Sequence, residues 1–163
     1  MIKEMLIAIP LLLASTIAVA EVRPFINADI GYADTDFDSG AYYDIGAGIQ
    51  FNEYIEFEVG YNNYGDVGPY EIEITSFSYG LNLGANVSEN TRLFVVVGAE
   101  RLEADETVSF GAFSVTVDES STEAFFGLGA AFKQNENVEI RTKLISHDSG
   151  DLVTLNIGAA FYF

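Results

Sequence analysis

The last stretch of the chain, Val153 to Phe163, reads VTLNIGAAFYF and shows the pattern that decides the fold. Every second residue is apolar, and the residues between are mostly small or polar. The apolar set is Val153, Leu155, Ile157, Ala159, Phe161 and Phe163, and the set between them is Thr154, Asn156, Gly158, Ala160 and Tyr162. Such period-two alternation is typical of a β-strand with one apolar face. Chain ends are usually polar and frayed, so a terminus at Phe163 indicates apolar surroundings.

The same alternation recurs in four earlier stretches. Their apolar faces are Tyr43, Ile45, Ala47, Ile49 and Phe51; Ile55, Phe57, Val59 and Tyr61; Ala124, Phe126, Leu128, Ala130 and Phe132; and Val138, Ile140, Thr142 and Leu144. Glycine or charged residues occupy most of the opposite positions. Each stretch therefore predicts a strand whose two sides meet different surroundings.

Three further strands are predicted from weaker patterns. Residues 22–33 alternate after Pro24, which has to lie at a strand start or edge. Residues 93–100 alternate, but their inner face is partly apolar. Between residues 71 and 87 the apolar parity changes, and a bulge near Thr75 or Ser76 would restore it. The chain is therefore predicted to form about eight strands.

The connections between these strands are of two kinds. Tight turns are predicted at 52–53, 88–90 and 134–137, whereas the connections at 34–40, 66–69, 105–120 and 148–150 are longer on average and strongly acidic. Short turns at one end and longer loops at the other are typical of a transmembrane β-barrel. The prediction is an all-β, eight-stranded, antiparallel up-and-down barrel with short periplasmic turns and longer acidic extracellular loops.

A soluble β-sandwich or barrel is the alternative, because apolar and polar residues also alternate along its strands. It would bury its bulky apolar face inside. Here the charged face carries most of the glycines, which suits a crowded, narrow lumen, and the apolar face has aromatic residues near the strand ends. Aromatic residues at both rims are typical of a lipid-facing band.

The first twenty residues predict export. A basic start at Lys3 precedes an almost wholly apolar run from Leu6 to Ile17, and Ala18 and Ala20 form a small-x-small cleavage site before Glu21. A membrane-spanning helix is the alternative, but it needs roughly 20 apolar residues. Residues 1–20 are predicted to be a signal peptide and residues 21–163 an outer-membrane barrel domain.

Composition excludes several classes of protein. The net charge of −18 argues against a nucleic-acid partner. A chain that is 49% hydrophobic has enough apolar surface to fold, despite its acidity. Without cysteine there is no disulfide, thiolate nucleophile or cysteine metal site.

The ending also carries a resemblance. Its form is polar-x-Gly-x-x-apolar-x-aromatic, with Asn156, Gly158, Phe161 and Phe163 at the named positions. This resembles the C-terminal assembly signal of bacterial outer-membrane proteins. Two hairpins also begin with Gly-x-Gly-x-x-Phe, at residues 46–51 and 127–132. With these hairpins and its signal peptide, the chain resembles the small eight-stranded barrels of the OmpA membrane domain and of the outer membrane protein beta-barrel domain family.

That resemblance implies a location and partners. The location is the outer membrane of a Gram-negative bacterium, and the partners are the barrel-assembly machinery, outer-membrane lipid and lipopolysaccharide. Divalent cations held weakly by the acidic loops are expected to bridge to the lipopolysaccharide. Since no peptidoglycan-binding domain follows Phe163, the wall-anchoring role of full-length OmpA is not expected.

The inward face is predicted to hold a charge network. Its members are Glu56, Glu58, Glu100, Glu139, Arg92, Arg141 and Lys143, with Asp29, Asp44, Glu123, Arg23 and Lys133 also expected to face inward. Unpaired charges in a narrow lumen are costly, so these groups should pair across it. A salt-bridged plug is the favoured interpretation, and a gated conduction path is the alternative.

Two short motifs have chemical interpretations. His147-Asp148-Ser149 is similar to the His-x-Ser of outer-membrane lipid A deacylases, but the strand parity places His147 inward or in a loop. The stretch Asp34 to Gly40 resembles a calcium loop with its glycine one place late, and Ile45 replaces the acidic twelfth ligand. We therefore expect no enzymatic turnover, no cofactor and no dedicated metal loop.

The longest connection suggests the function. Residues 107–117 read TVSFGAFSVTV, which alternates on both sides of Gly111 and predicts a hairpin above the membrane, with Phe110 and Phe113 near its tip. Exposed edges bind partners by strand addition. The predicted role is structural or surface-interacting. A narrow channel is the alternative, and a lipid-modifying hydrolase is the third hypothesis.

Overall fold

A computed structural model describes residues 22–35, 39–67, 72–110, 113–147 and 152–163. The predicted signal peptide and its cleavage positions, Ala18, Ala20 and Glu21, lie outside the described residues. Within the part of the chain that is described, no helix is long and apolar enough to cross a membrane.

Eight antiparallel strands form a closed barrel, as the sequence predicted. Each strand pairs with its neighbours in the chain, and β8 pairs with β1 to close the wall. The strands are β1 (Arg23–Thr35), β2 (Ser39–Gln50), β3 (Ile55–Val67), β4 (Ile72–Asn86), β5 (Thr91–Phe110), β6 (Phe113–Lys133), β7 (Val138–His147) and β8 (Leu152–Tyr162).

The apolar face of each strand lies on the outside of the barrel. Ile45 is 70% exposed and Leu128 is 64% exposed, although both are large apolar residues. Their polar or small neighbours in sequence face the interior, because successive side chains of a strand point to opposite faces. A barrel with its apolar residues outside and charges inside is the arrangement expected in lipid.

Three short turns lie at the end of the barrel where β1 begins and β8 ends, here called the turn end. They share one hydrogen-bond pattern, in which the backbone N–H that opens the turn donates to the carbonyl four residues later: Phe51 to Ile55, Val87 to Thr91 and Gln134 to Val138, each at 2.9 Å. Side-chain oxygens of Asn52 and Asn135 accept backbone N–H groups within their turns. Turn-favouring asparagines therefore help to close two of these three hairpins.

The predicted bulge near Thr75 or Ser76 is wrong. β4 runs through both residues, and the irregularity lies in β3, where two residues, Tyr64 and Gly65, oppose Ile74. Gly65 has a φ of 73°, a conformation that glycine adopts without steric cost. Ile74 is half-buried and packs inward, although an apolar residue in this pattern predicts the outer, lipid-facing side of a strand.

The opposite end, here called the loop end, carries an extension of the wall. β5 and β6 have 20 and 21 residues and pair with each other out to Phe110 and Phe113. Among the described residues, β4 pairs with β5 as far as Asp105, and β7 pairs with β6 from Phe125 onward. In the described part of the chain, residues 106–110 and 113–117 therefore form a two-stranded extension. Residues 118–124 continue its β6 edge beside a β5 segment that also pairs with β4. We call residues 106–110 and 113–124 the ribbon.

Candidate functional site in the barrel lumen

Glycines on the inner face make room for inward-pointing aromatic rings. A Cβ added to Gly129 would lie 2.3 Å from the ring of Phe94, and one added to Gly48 would lie 2.4 Å from the ring of Phe25. Both rings are almost fully buried. The glycines therefore leave space in the lumen for aromatic side chains, as well as for the charged side chains that the sequence predicted.

Glu56 is the centre of the charged group at the turn end. Its carboxylate is fully buried and accepts hydrogen bonds from Arg92 at 2.8 Å and Arg141 at 3.1 Å. The Tyr162 hydroxyl donates to the same carboxylate at 2.8 Å. These donors come from β5, β7 and β8, so Glu56 on β3 ties four strands together across the lumen.

The network extends from Glu56 in two directions. Glu139 lies 3.5 Å from Arg92 and 3.6 Å from Arg141. Glu58 lies 3.4 Å from Arg141 and 2.8 Å from Lys143, and Lys143 also contacts Asp29 at 3.0 Å. We call these residues the plug: Asp29, Glu56, Glu58, Glu139, Arg92, Arg141 and Lys143. Six of the seven predicted network residues thus lie together.

Aromatic rings pack against the guanidinium groups of the plug. The Arg141 guanidinium carbon lies 4.7 Å from the Phe25 ring centroid, and that of Arg92 lies 5.2 Å from Phe94. Phe25 also packs with Tyr162 beneath the charges. The cation–π contacts add to the stability of the buried charges. Strand parity placed Tyr162 and Phe94 inward, but their contacts with the charges were not predicted.

Glu100, predicted as part of the charge network, belongs to a separate group. Its carboxylate accepts hydrogen bonds from Tyr64 at 2.6 Å and Ser76 at 2.7 Å, and it contacts Nδ1 of His147. Among the described residues, no lysine or arginine lies within ion-pair distance of it. The reason is its height in the barrel, because Glu100 lies far along β5 from Arg92. We call Glu100, His147, Tyr64 and Ser76 the loop-end cluster.

Two residues expected to face inward lie at the rim. Lys133, at the end of β6, is exposed. Arg23, at the start of β1, donates to the carbonyl of Glu136 and lies over the Tyr162 ring at 4.8 Å. Strand ends place both residues at the turn end, outside the plug, which corrects the prediction. Glu123, by contrast, is half-buried on the inner parity of β6.

The two chemical motifs are only partly described. His147 is 3% exposed and faces the lumen, whereas Asp148 and Ser149 lie outside the described residues. Asp34 is exposed at the end of β1, and Asp36 and Asp38 lie outside the described part of the chain. Gly111 is not described either, nor are the side chains of Phe110 and Phe113.

The proposed assembly signal occupies the wall at the turn end. Phe161 and Phe163 are exposed on the outer face, and their ring centroids are 5.2 Å apart. Asn156 and Gly158 face inward on the same strand. The backbone N–H of Phe163 donates to the carbonyl of Pro24 at 3.0 Å, so the final residue is bonded to β1.

The fold is similar to those of solved bacterial membrane barrels. The N-terminal β-barrel domain of Pseudomonas aeruginosa OprF is 15% identical, with 85% of this chain and 97% of that chain covered and a TM-score of 0.64. For Neisserial surface protein A the identity is 16%, the coverage 87% and 97%, and the TM-score 0.65. For Ail, the attachment invasion locus protein of Yersinia pestis, the values are 18%, 88% and 99%, and 0.62.

A search of curated protein sequences finds no significant match. The family model for the outer membrane protein beta-barrel domain matches residues 5–163. That match covers nearly the whole chain, including every strand described above, and it agrees with the closed barrel and its apolar outer face. The chain therefore belongs to the outer membrane protein beta-barrel domain family.

Proposed function

We propose that this barrel presents its β5–β6 ribbon on the cell surface, where the ribbon binds a protein partner by strand addition. The observation that carries the proposal is the pairing of β6. On its β5 side β6 is paired throughout, whereas on its β7 side pairing begins only at Phe125. Among the described residues, no strand pairs with that side of residues 113–124. An unpaired edge offers backbone donors and acceptors to another strand.

Charge favours a basic partner. The ribbon and the residues beside it include Glu103, Asp105, Glu106, Asp118, Glu119 and Glu123. In the sequence from residue 101 to residue 123, Arg101 is the one lysine or arginine, and it pairs with Glu103 at 3.4 Å. Ail has been solved in complex with the heparin analogue sucrose octasulfate. A polyanion of that kind is disfavoured here, so an extended segment containing lysine or arginine is the partner class proposed.

A closed lumen supports a surface role over the channel alternative. Large side chains of the plug and the neighbouring Tyr162 cross the lumen: Arg141 and Glu56 are fully buried, and Tyr162 is 1% exposed. An eight-stranded barrel is just wide enough for side chains to fill, so side chains of this size leave little room for a water path. We propose that the plug is structural, and planar-bilayer conductance of the purified barrel tests this. Steady, reproducible channels would favour the channel.

The hydrolase hypothesis has little geometric support. The His147 imidazole is buried inside the barrel and contacts Glu100. A lipid acyl chain lies outside the wall, so it does not reach this imidazole. The non-enzymatic role proposed here rests on that separation.

The experiment for the surface role uses the barrel reconstituted in lipid and a panel of synthetic peptides. The probes are extended peptides with alternating valine and lysine, and matched peptides with glutamate in place of lysine. Wild type should bind the lysine peptides, and a variant lacking residues 107–117 should bind them much more weakly. The control is equal unfolding midpoints for the two barrels. Equal binding by both would contradict the proposal.

A pair of point substitutions tests the same binding edge without deleting the ribbon. Replacing Phe110 and Phe113 together with Ser should leave barrel stability nearly unchanged and weaken binding of the lysine peptides. If the double variant fails to fold, these residues belong to the barrel core and the surface hypothesis loses its support.

We also propose that Phe163 completes the signal read by the barrel-assembly machinery. Deleting it should lower the amount of heat-modifiable, folded protein in the outer membrane, with Lys133→Ala at the same end as a control. Unchanged assembly of the deletion would contradict this role.

A further inference from the structure

Three buried carboxyl groups surround one ammonium group inside the lumen. Single oxygens of Asp29, Asp44 and Glu58 lie within 4.8 Å of one another. The Lys143 ammonium lies 2.8 Å from Glu58 and 3.0 Å from Asp29. Because this ammonium already lies among them, the three acids share one resident cation.

The other cations of the lumen pair with acids at the turn end. Arg92 and Arg141 both contact Glu56 and Glu139, so two bases face two acids there. Arg141 also reaches Glu58, but at 3.4 Å. The acids around the ammonium therefore keep a surplus of negative charge, which is strongly disfavoured in a buried site.

The three acids receive unequal support from donors. Glu58 accepts hydrogen bonds from Lys143 at 2.8 Å and from Asn82 at 3.0 Å. Asp29 pairs with Lys143 at 3.0 Å. Hydrogen bonds and opposite charges favour the ionised form of a carboxyl group. Glu58 and Asp29 are therefore placed to keep their negative charges.

Asp44 has the weakest support, although it is only 4% exposed. Asn27 donates to its Oδ2 at 3.1 Å, and its Oδ1 has no hydrogen-bond partner. Among the described residues, no lysine, arginine or histidine lies within ion-pair distance of Asp44. A buried carboxyl group beside like charges and without a cation normally becomes neutral by taking up a proton.

Asp44 also lines a small cavity between the plug and the loop-end cluster. The cavity volume is about 40 Å³, which accommodates roughly three water molecules. The other titratable groups that line it are Glu58, Glu100, Lys143, His147, Tyr42 and Tyr64. A neutral Asp44 is therefore placed to donate its hydroxyl proton to water in this space.

We propose that Asp44 is a proton-binding site, which holds one proton at neutral pH and so keeps its carboxyl group uncharged beside Asp29 and Glu58. The proton lies on Oδ1, because Oδ2 accepts from Asn27. It removes one negative charge from the buried group and needs no space for an ion.

This site makes the stability of the barrel depend on pH. Unfolding exposes Asp44 to water, where an aspartate side chain is ionised at neutral pH. Unfolding therefore releases the proton, and a state that binds more protons when folded loses stability as the pH rises.

Infrared spectroscopy of the whole barrel, refolded in detergent at neutral pH, tests the proposal. A protonated carboxyl group has a carbonyl-stretching band separate from the bands of carboxylates. Wild type should show one such band, and Asp44→Asn should lack it. Asp34→Asn, which changes an exposed acid of the loop end, should keep it. Wild type without the band, or a folded Asp44→Asn that keeps it, would overturn the proposal.

The urea midpoint gives a second readout on the same three proteins. Raising the pH above neutral should lower the midpoint of wild type and of Asp34→Asn. The fall should be smaller in Asp44→Asn, which has no proton to release at this position. An equal fall in all three proteins would contradict the proposed site.

Gly60→Ala covers the case in which Asp44→Asn does not fold. The added Cβ would lie 2.7 Å from Oδ1 of Asp44, so the methyl group presses on the protonated oxygen while the acid is kept. The carbonyl band should therefore shift in frequency. A folded Gly60→Ala with an unshifted band would place the proton elsewhere and overturn the proposal.

Discussion

The two ends of the lumen satisfy buried carboxylates in different ways. At the turn end, Glu56 accepts from two arginines and a tyrosine. At the loop end, Glu100 accepts from Tyr64 and Ser76 and contacts His147. Both carboxylates are almost fully buried. Glu56 therefore depends on permanent cations, whereas Glu100 depends on neutral hydroxyl donors and an imidazole.

This difference follows from the positions of the lysine and arginine side chains in the lumen. Arg92, Arg141 and Lys143 all belong to the plug, so few bases remain for acids nearer the loops. In the plug, each base therefore forms ion pairs with several carboxylates. Removing one base leaves several carboxylates without that cationic partner. The loop-end cluster has separate weaker donors, and losing one leaves others in place.

The largest expected effect is that of Arg141→Ala. Glu56, Glu58 and Glu139 all contact this guanidinium, so its removal leaves buried negative charge without compensation. We expect a loss of about 3–5 kcal/mol in the free energy of unfolding. The urea midpoint in detergent measures it, with Arg141→Lys as a control that keeps the charge. An unchanged midpoint would mean that the turn end is a wet, wide interior.

Gly129→Ala tests whether packing supports the plug as well as charge. The added Cβ would lie 2.3 Å from the Phe94 ring, which packs against Arg92. Overpacking of this kind costs about 1–3 kcal/mol. Unfolding should show this loss in the single variant, and adding Phe94→Leu should recover part of it. Without such recovery, the strain would lie in the backbone, away from the ring.

Glu100→Gln should have a smaller effect than Arg141→Ala. The amide oxygen still accepts from Tyr64 and Ser76, and only the charged contact with His147 is lost. We expect a loss of about 1–2 kcal/mol, measured by the same urea midpoint. A loss equal to that of Arg141→Ala would contradict the difference between the two ends.

The smallest effect is expected for Arg101→Ala on the outside of the wall. Its ion pair with Glu103 spans 3.4 Å, but the two side chains are 64% and 59% exposed. Exposed pairs of this kind contribute about 0–1 kcal/mol and are screened by salt. The unfolding midpoint should barely move, and less so in high salt. A large change would show that Arg101 has a buried partner in lipid or in a loop.

Local alternation in the sequence determined the number of strands, their two faces and the closed antiparallel barrel. This was possible because side-chain direction in a strand follows from neighbouring residues alone. The alternation also placed all seven members of the plug inside, and it placed His147 either inside or in a loop. It failed at Ile74, where an apolar side chain packs in the lumen against the tyrosines at the loop end.

Only the tertiary structure decided which inward groups meet. Barrel closure sets the height of each residue, so Glu100 meets His147 and Tyr64 while Glu56 meets Arg141. The pairing register also decided that the bulge lies at Gly65 and that β6 extends past β7 as a ribbon. The physical reason is that period two is a property of one strand, whereas contacts across the lumen depend on the register of all eight.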